Sequence, residues 1–334
     1  MIKMPSSVSQ TFDEQEDFET AFRAEGCHGL VVTGRGQFRA QLTQIALHFL
    51  RLSAAEEQLA RVAFMAVPGD MVLLTFPIGS EALPICGGLG AQAGEIMTIS
   101  PGEQVHARID GLSRWGAIML PVIELIQYAS ALTGAPFTVP LAVQCWRPPR
   151  AAGRQLRRLH GAASGMAVKR PKILLNAKAA RGLAQQLIHT IVECLVLGST
   201  NTATLSGRRH QDIMVGFERL LQAQPDRDMC MTEICAALDV SERRLRNLCA
   251  EHLGMGPIGY DRLRRMSLVR SIFLWRDRDT ASVSEVARLY GFRQAGRFSA
   301  NYRALFGETP SATLRRRAGS RQWSRRSQQK RHRR

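Results

Sequence analysis

The chain has 334 residues, of which 45% are hydrophobic and 22% are charged, and its formal net charge is +17. This composition is typical of a globular protein and excludes a disordered or collagen-like chain, while the length favours two domains. Ten basic residues and no acidic residue lie in the last twenty positions, which leaves +7 for residues 1–314. A basic excess at this end of the chain predicts a polyanionic partner.

The seven cysteines are scattered, and no two of them have CxxC spacing. An odd number without a pattern predicts reduced thiols in a cytoplasmic protein. Residues 1–19 have no apolar core and become acidic at 13–17, which argues against an ordinary signal peptide. The longest apolar run, 116–126, is too short to span a bilayer, so we expect no membrane partner. Cys27-His28, His48 and His106 form no metal-binding pattern, so we expect neither a metal nor another cofactor.

Residues 1–25 are polar and are predicted to be a loose lead-in. Leu30–Thr33 and Phe38–Leu47 follow as strands, and the Gly34-Arg35-Gly36 segment between them is predicted to be a turn rather than a phosphate loop. Four further strands are predicted at Phe64–Ala66, Met71–Phe76, Ile96–Ser100 and Trp115–Leu120. Short strands at near-even spacing, separated by Gly and Pro, favour a small barrel or sandwich.

After Pro121 the apolar spacing becomes helical. Helices are predicted at Val122–Leu132, Ala151–Ala163 and Ala177–Leu197. The last of these carries an apolar stripe formed by Leu183, Leu187, Ile191, Cys194 and Leu195. Such a stripe fits either the core of the domain or a dimer interface, and both interpretations stay open at this point. Gly198–Gly207 is rich in Thr, Ser and Asn and is predicted to be a linker.

Residues 282–306 have the pattern of a helix-turn-helix unit. Ser282-Val283-Ser284-Glu285 is a capping box, with a hydroxyl at the cap and a carboxylate three residues later. Gly291 can end the first helix because glycine adopts a positive φ without steric cost. A second helix is predicted to bury four side chains, namely Phe298, Tyr302, Leu305 and Phe306.

Residues 231–254 repeat this plan, with Ser241 as the cap of the second helix and Gly254 at its end. Pro257 opens a long connecting helix that is predicted to run to about Arg276. About 20 residues at ~1.5 Å each give a rod of roughly 30 Å, close to the ~34 Å of one DNA turn. We therefore expect two recognition helices in successive major grooves.

The outward faces of the two recognition helices carry donors that suit phosphates and base edges. In the first unit the predicted DNA-binding residues are Ser241, Arg243, Arg244, Arg246 and Asn247. In the second unit they are Arg293, Gln294, Arg297, Asn301 and Arg303. The residues expected to read one major groove are Arg243, Arg246 and Asn247, and those expected to read the next are Gln294 and Arg297.

The same stretch resembles the DNA-binding domain of AraC/XylS-type transcription regulators. The matching pieces are Ser241-x-x-x-Leu245, Gly256-Pro257-x-x-Tyr260, Arg265-x-x-x-Val269-Arg270, Val286-Ala287-x-x-x-Gly291-Phe292, Phe298-x-x-x-Tyr302 and Phe306-Gly307-x-Thr309-Pro310. The resemblance covers about the last third of the chain without its basic end. It implies a regulator, more often an activator, that binds double-stranded DNA and acts with RNA polymerase.

The resemblance also bears on the other half and on the second recognition helix. In this family the N-terminal half is often a cupin-like barrel with helices that binds a small-molecule effector or forms a homodimer. Base-reading residues of the second recognition helix cluster near positions held here by Ala295, Gly296, Arg297 and Ala300. Because three of these are too small to reach bases with a hydrogen bond, we expect the second unit to bind phosphates or a thymine methyl group.

The predicted fold class is multidomain α+β, with an N-terminal cupin-like β-barrel or sandwich with helices and a C-terminal all-α domain of two helix-turn-helix units joined by a long helix. The predicted domains are an effector-binding and dimerisation domain at 1–197, a linker at 198–210, an AraC-type DNA-binding domain at 211–317 and a basic disordered tail at 318–334. A regulator rather than an enzyme is expected. The alternatives are a DNA-repair alkyl acceptor, which is an enzyme with a reactive cysteine, and an architectural DNA-binding protein without an effector.

Overall fold

The structure is a computed structural model, and it describes residues 5–79, 84–139, 142–201, 205–275 and 282–316. Its strands are β1 (Ser6–Phe12), β2 (Cys27–Val32), β3 (Ala40–Leu47), β4 (Leu50–Glu57), β5 (Arg61–Ala66), β6 (Met71–Pro77), β7 (Ile85–Cys86), β8 (Leu89–Gly90), β9 (Ile96–Ile99), β10 (Gln104–Ile109), β11 (Ser113–Pro121), β12 (Gln144–Arg147) and β13 (Ser199–Asn201).

The helices divide into two groups along the chain. Those of the N-terminal half are α1 (Gln15–Phe22), α2 (Val122–Thr133), α3 (Arg150–Lys169), α4 (Pro171–Leu174) and α5 (Ala177–Val196), with a 3-10 turn at Arg23–Glu25. Those of the C-terminal half are α6 (Leu205–Ala223), α7 (Met231–Leu238), α8 (Glu242–Leu253), α9 (Pro257–Trp275), α10 (Val283–Leu289) and α11 (Ala295–Phe306). Residues 310–316 are also helical.

Two sheets face each other in the N-terminal half. The larger has the order β1-β3-β4-β11-β6-β9-β12-β13, and the smaller has the order β2-β5-β10-β7-β8. Strand β11 contributes to two cores, since its successive side chains point to opposite faces of the sheet. Trp115, Ala117 and Met119 face the core between the sheets, whereas Ile118 and Leu120 face the helices outside. The sandwich and the α+β class predicted from sequence are confirmed.

Helices α2, α3 and α5 cover the outer face of the larger sheet. The apolar stripe of α5 lies in the core of this layer, where Leu187, Ile191 and Cys194 are fully buried and Leu183 is partly buried. Burial of a Leu or Ile side chain contributes roughly 1.5–3 kcal/mol. The stripe therefore serves the core, and a dimer interface is not needed to explain it.

The helices of the C-terminal half pack on the outer face of the smaller sheet. Val31 of β2 and Val62 of β5 lie in one apolar cluster with Phe217, Leu245 and residues of α7 and α9. A separate cluster holds α10, α11 and the second half of α9 together. The order of layers is thus helices, larger sheet, smaller sheet and helix-turn-helix domain.

The predicted loose lead-in at 1–25 is wrong for its described part. Strand β1 pairs with β3 along its whole length, and α1 buries Phe18 and Phe22 at helical spacing. The polar sequence of β1 misled the prediction because an edge strand needs few apolar side chains, and only Phe12 of β1 is buried. Strands β4, β7, β8, β10, β12 and β13 were also missed. Glu57 in β4 and His106 in β10 are buried polar residues, and they interrupt the alternation of apolar and polar residues from which strands are predicted.

The structure describes much of the predicted linker but none of the predicted tail. Within the predicted linker at 198–210, β13 adds a strand to the edge of the larger sheet by pairing with β12, and α6 already begins at Leu205. The predicted basic tail at 318–334 lies outside the described residues, as does the end of the predicted connecting helix at Arg276.

Candidate nucleic-acid interface

The first helix-turn-helix unit consists of α7 and α8. Asp239 ends α7 with a left-handed backbone (φ 50°), and the Ser241 hydroxyl accepts a hydrogen bond from the Arg244 amide at 3.3 Å. Leu245 and Leu248 of α8 are buried. Their burial turns the polar face of α8 to solvent, because residues three and four apart share one side of a helix.

Four of the five predicted residues of this unit line one groove. Ser241, Arg243, Arg244 and Asn247 border it together with His210, Leu248 and Glu251. All four are exposed. A groove with two guanidinium groups and one amide provides the donors that base edges and phosphates accept.

Arg246 is placed differently from its predicted partners. Its Nε and Nη2 donate to one carboxylate oxygen of Glu242 at 2.9 and 2.6 Å, on the exposed surface of α8. An exposed pair at this spacing contributes only ~0.3–0.5 kcal/mol. Arg246 must therefore leave a weak ion pair before it can bind DNA.

The second unit consists of α10 and α11, and its predicted capping box is present. The Ser282 amide donates to Glu285 Oε2 at 2.6 Å, and the Glu285 amide donates to Ser282 Oγ at 3.2 Å. Gly291 has a φ of 80°, and a Cβ there would meet Nη1 of Arg265 at 2.6 Å. The turn thus requires glycine both for its backbone and for the close approach of Arg265.

The exposed residues of α11 do not form a single face. Arg297 and Asn301 are four residues apart and share one side with Gln294, which precedes the helix as its N-cap. Arg303 lies two residues beyond Asn301, which is about 200° around the helix. Arg293 precedes α11 and is exposed. The structure therefore brings Gln294, Arg297 and Asn301 together and separates Arg303 from them.

Arg265 of α9 holds the two units in a fixed relation. Its guanidinium donates to Asp261 Oδ2 at 2.9 Å, to Asp228 Oδ1 at 2.7 Å and to the Tyr290 carbonyl at 2.8 Å. It also lies 5.4 Å from the ring centre of Phe292. Asp228 precedes the first unit and Tyr290 lies in the turn of the second, so one buried side chain connects both units through the long helix.

Two polar clusters connect the helix-turn-helix domain to the sandwich. In the first, Glu218 of α6 contacts His106 of β10 at 3.2 Å and accepts a hydrogen bond from the Tyr260 hydroxyl at 3.0 Å. Burial raises the pKa of Glu218, but contacts with His106, Arg264 and Tyr260 outweigh it and hold that pKa below its usual value. The carboxylate therefore stays charged inside the interface.

In the second cluster, Arg270 of α9 is buried against acidic residues from both ends of the chain. It contacts Glu14, which precedes α1, and Glu16 in the first turn of α1, and its Nη1 donates to Glu308 Oε1 at 2.7 Å. Burial raises the pKa of Glu16 to about 7, in spite of the opposing charge of Arg270. The Arg270 guanidinium thus links the connecting helix, the N-terminal segment and the end of the second unit.

A narrow, partly open pocket lies inside the sandwich, with a cavity volume of about 40 Å³. Its walls are mostly apolar and include Phe22, Met65, Leu73 and Ile99. The polar groups at its edge already have partners: Arg61 donates to Glu57, and so does the Trp115 indole. Because these groups are satisfied, the pocket offers mainly apolar contacts and few free hydrogen-bonding groups.

Sequence reasoning missed the residues that position the site rather than form it. Glu218, His106 and Glu14 lie far apart in the chain, and only folding brings them to the interface. His210 and Glu251 border the groove without any local signal. Among the described residues, no three His, Cys, Asp or Glu side chains lie close enough to hold a metal ion. In the same part of the chain, every helix is too short or too polar to cross a membrane.

The geometry defines a domain of two helix-turn-helix units, and comparison with known proteins agrees. Residues 234–316 match the family described as "Helix-turn-helix domain". This C-terminal domain is of the AraC/XylS type, as the order of its motifs predicted. It is similar to the XylDLEGF operon transcriptional activator of Pseudomonas putida, with 36% identity over 102 residues, which are 30% of this chain and 32% of that protein.

Two further similarities extend the comparison. A probable thc operon regulatory protein of Rhodococcus erythropolis is 29% identical over 154 residues, which cover 40% of this chain and 46% of that protein. The crystal structure of the AraC-like transcriptional activator CuxR matches with 15% identity and a TM-score of 0.44, over 80% of this chain and 96% of that chain. The matched region covers about a third of the length of this P. putida activator.

Proposed function

We propose that this protein is a sequence-specific DNA-binding transcription regulator, more specifically an activator, and not an enzyme. The observation that carries the proposal is the pair of exposed recognition helices, α8 and α11, on one connecting helix of 19 residues. At ~1.5 Å per residue, α9 is roughly 28 Å long, close to the ~34 Å of one DNA turn. The two helices then enter successive major grooves on one face of the duplex.

The two units contribute differently to DNA binding. Arg243 and Asn247 are four residues apart on α8 and line the same groove, so they read base edges. Each bidentate contact of this kind is worth ~1–3 kcal/mol against a wrong base. Arg297 on α11 stands between the small residues Gly296 and Ala300, and it binds phosphate. The first unit therefore supplies most of the specificity.

The sandwich supplies regulation in this proposal. Its internal pocket binds a small apolar or aromatic effector, and the bound form of the domain changes how the helix-turn-helix domain is held. The protein then has two states that differ in how the helix-turn-helix domain is held against the sandwich. An effector shifts the equilibrium between them only by the difference between its affinities for the two states. The activator recruits RNA polymerase at the promoter, and a homodimer binds paired half-sites.

The alkyl-acceptor alternative needs a reactive thiolate, and the cysteines near the helix-turn-helix core do not favour one. Burial raises the pKa of Cys249 to about 12, and desolvation also raises the pKa of Cys235. A thiol that stays protonated at neutral pH is a poor nucleophile. An architectural protein is disfavoured by the pocket in the sandwich, since such a protein needs no effector site.

The test begins with selection of bound duplexes from a random pool by the full chain, followed by footprinting of the selected duplex. We expect protection of two successive major grooves on one face. Arg243→Ala should relax base preference at one half-site by ~1–3 kcal/mol per contact. The exposed control Arg262→Ala, on α9, should leave the preference unchanged. The proposal fails if no sequence is enriched, or if only one groove is protected.

A further inference from the structure

Positive charge is unevenly distributed along the chain. Residues 125–192 contain ten basic residues and no acidic one. Since residues 1–314 carry +7, the other positions in that range have a net charge of −3. Residues 211–314, which include both helix-turn-helix units, have 15 basic and 13 acidic residues. Apart from the last twenty positions, the basic excess of this protein therefore lies in the helical layer of the sandwich.

Three arginines of α3 form the most regular part of this layer. Arg150, Arg154 and Arg158 are four residues apart, so they lie on the same side of the helix. All three are exposed, and no carboxylate among the described residues pairs with them. We call them the α3 arginine face. Arg157 is different, since it is half-buried and donates to the Gly94 carbonyl.

The same side of α3 carries no large side chain between its charges. Gly161 and Gly165 continue it, and a Cβ at either position would meet no atom within 4 Å. Helices that bind anionic membranes carry Trp, Phe or Leu beside their basic residues, and this face has none. Between Arg150 and Gly161 it is flat and cationic, with the exposed Val168 only near the end of the helix, and this suits a rigid polyanion better than a lipid surface.

The spacing of the arginines fits a DNA strand. Four residues of α-helix advance about 6 Å, and two phosphates of one strand advance about 6.8 Å along the duplex axis. Neighbouring arginines of the α3 arginine face can therefore contact alternate phosphates of one strand. Phosphate contacts of this type carry no sequence information but add to affinity.

The position of α3 decides which DNA it can contact. It packs on the outer face of the larger sheet, whereas the helix-turn-helix domain packs on the outer face of the smaller sheet. Stacked layers are about 10 Å apart, so α3 and α8 lie on opposite sides of a sandwich roughly 30 Å thick. A straight duplex held by α8 and α11 does not reach α3.

We propose that the α3 arginine face binds the phosphates of DNA outside the segment that the recognition helices read. The inference rests on the proposed function, because binding by α8 and α11 brings flanking duplex close to the protein at high effective concentration. The flank of the bound duplex curves around the sandwich to reach α3. The sandwich then acts as a second, sequence-independent DNA-binding surface.

The test compares the full chain with the variant Arg150→Gln/Arg154→Gln/Arg158→Gln on two duplexes. One is a selected site of minimal length, and the other is the same site with long flanks on both sides. The matched control is Lys172→Gln/Lys178→Gln/Arg181→Gln, which removes the same charge from exposed positions of α4 and α5 in the same helical layer. Binding is measured over a series of salt concentrations for all three proteins.

On the long duplex, loss of three phosphate contacts should reduce the slope of log K against log salt by about 2.7. Between 50 and 200 mM salt, this amounts to a roughly 40-fold smaller loss of affinity than in the wild type. On the minimal duplex the variant should have the same affinity and the same salt slope as the wild type. The control should behave as the wild type on both duplexes, because its residues lie on α4 and α5, outside the α3 arginine face.

The inference is overturned if the α3 variant has the same slope as the wild type on the long duplex. It is also overturned if the slope changes equally on both duplexes, or equally in the control variant. A third arm adds unlinked duplex to the minimal complex. Cross-linking of that duplex to α3, with no response to the flanks of the long duplex, would contradict the curved flank. If the wild type prefers no sequence at all, the proposed function fails instead, so the two failures are distinguishable.

Discussion

Arg265 donates a hydrogen bond from Nη1 to the carbonyl oxygen of Tyr290 at 2.8 Å, and this contact fixes the turn of the second helix-turn-helix unit against the connecting helix. The same guanidinium pairs with Asp261 and Asp228, and it is buried. This contact therefore acts together with the apolar cluster of α9 and α11 in setting the angle between the two helices.

Arg265→Lys should therefore weaken both stability and two-groove binding. A lysine keeps the charge, but its three N–H donors share one nitrogen, whereas Arg265 reaches its three partners from three separate nitrogens of a planar group. We expect the free energy of unfolding in urea to fall by about 1–3 kcal/mol and the footprint to shrink to the groove read by α8. Arg262→Lys is the matched control, because Arg262 lies on the same helix and is exposed. An unchanged two-groove footprint in Arg265→Lys would contradict the role of this contact.

Glu16 should make stability depend on pH in a defined direction. Burial raises its pKa from 4.5 to about 7, and neither carboxylate oxygen accepts a hydrogen bond from the described residues. The folded state therefore binds more protons than the unfolded state between pH 4.5 and 7. Over this window, the contribution of Glu16 to stability falls as pH rises.

Glu16→Gln removes this titration. We expect the free energy of unfolding of the variant to equal that of the wild type near pH 5 and to be larger by about 1–3 kcal/mol at pH 8. Chemical unfolding at a series of pH values measures both curves. Asp17→Asn serves as the control, since Asp17 is the exposed neighbour on α1. Parallel curves for Glu16→Gln and the wild type across this window would show that the buried carboxyl does not titrate as stated.

The capping box of α10 should contribute measurably to the second unit. Ser282→Ala leaves the Glu285 amide without its side-chain acceptor. Loss of such a cap costs about 0.5–2 kcal/mol. The measurement is urea unfolding of the full chain, with the exposed Ser311→Ala as control. A variant as stable as the control would mean that solvent replaces the cap without cost.

Arg297 should bind phosphate rather than a base. Arg297→Ala is expected to weaken binding to selected and random duplexes by the same factor, and to reduce the slope of log K against log salt by about 0.9. The comparison is Arg243→Ala, which should act mainly on the selected duplex. A loss confined to the selected duplex in Arg297→Ala would assign base reading to the second unit as well.

Local sequence patterns were sufficient for the helix-turn-helix units. A capping box, a turn glycine and apolar residues at helical spacing involve neighbours within about ten positions, and these interactions are the same in any fold. The structure places Ser282, Gly291 and Phe298 as the pattern predicts. The strands of the sandwich were harder, since buried polar residues such as Glu57 interrupt alternation and are explained only by their partners.

The amino-acid sequence by itself determined that this protein carries two recognition helices on a connecting helix, because helical periodicity and capping are encoded within single elements. Only the tertiary structure decided which polar side chains hold those elements in place. Arg270 pairs with Glu14 across 256 positions of the chain, and no periodicity links such residues. The tertiary structure also placed α3 and α8 on opposite sides of the sandwich, because the stacking order of the layers follows from which sheet faces each helix buries.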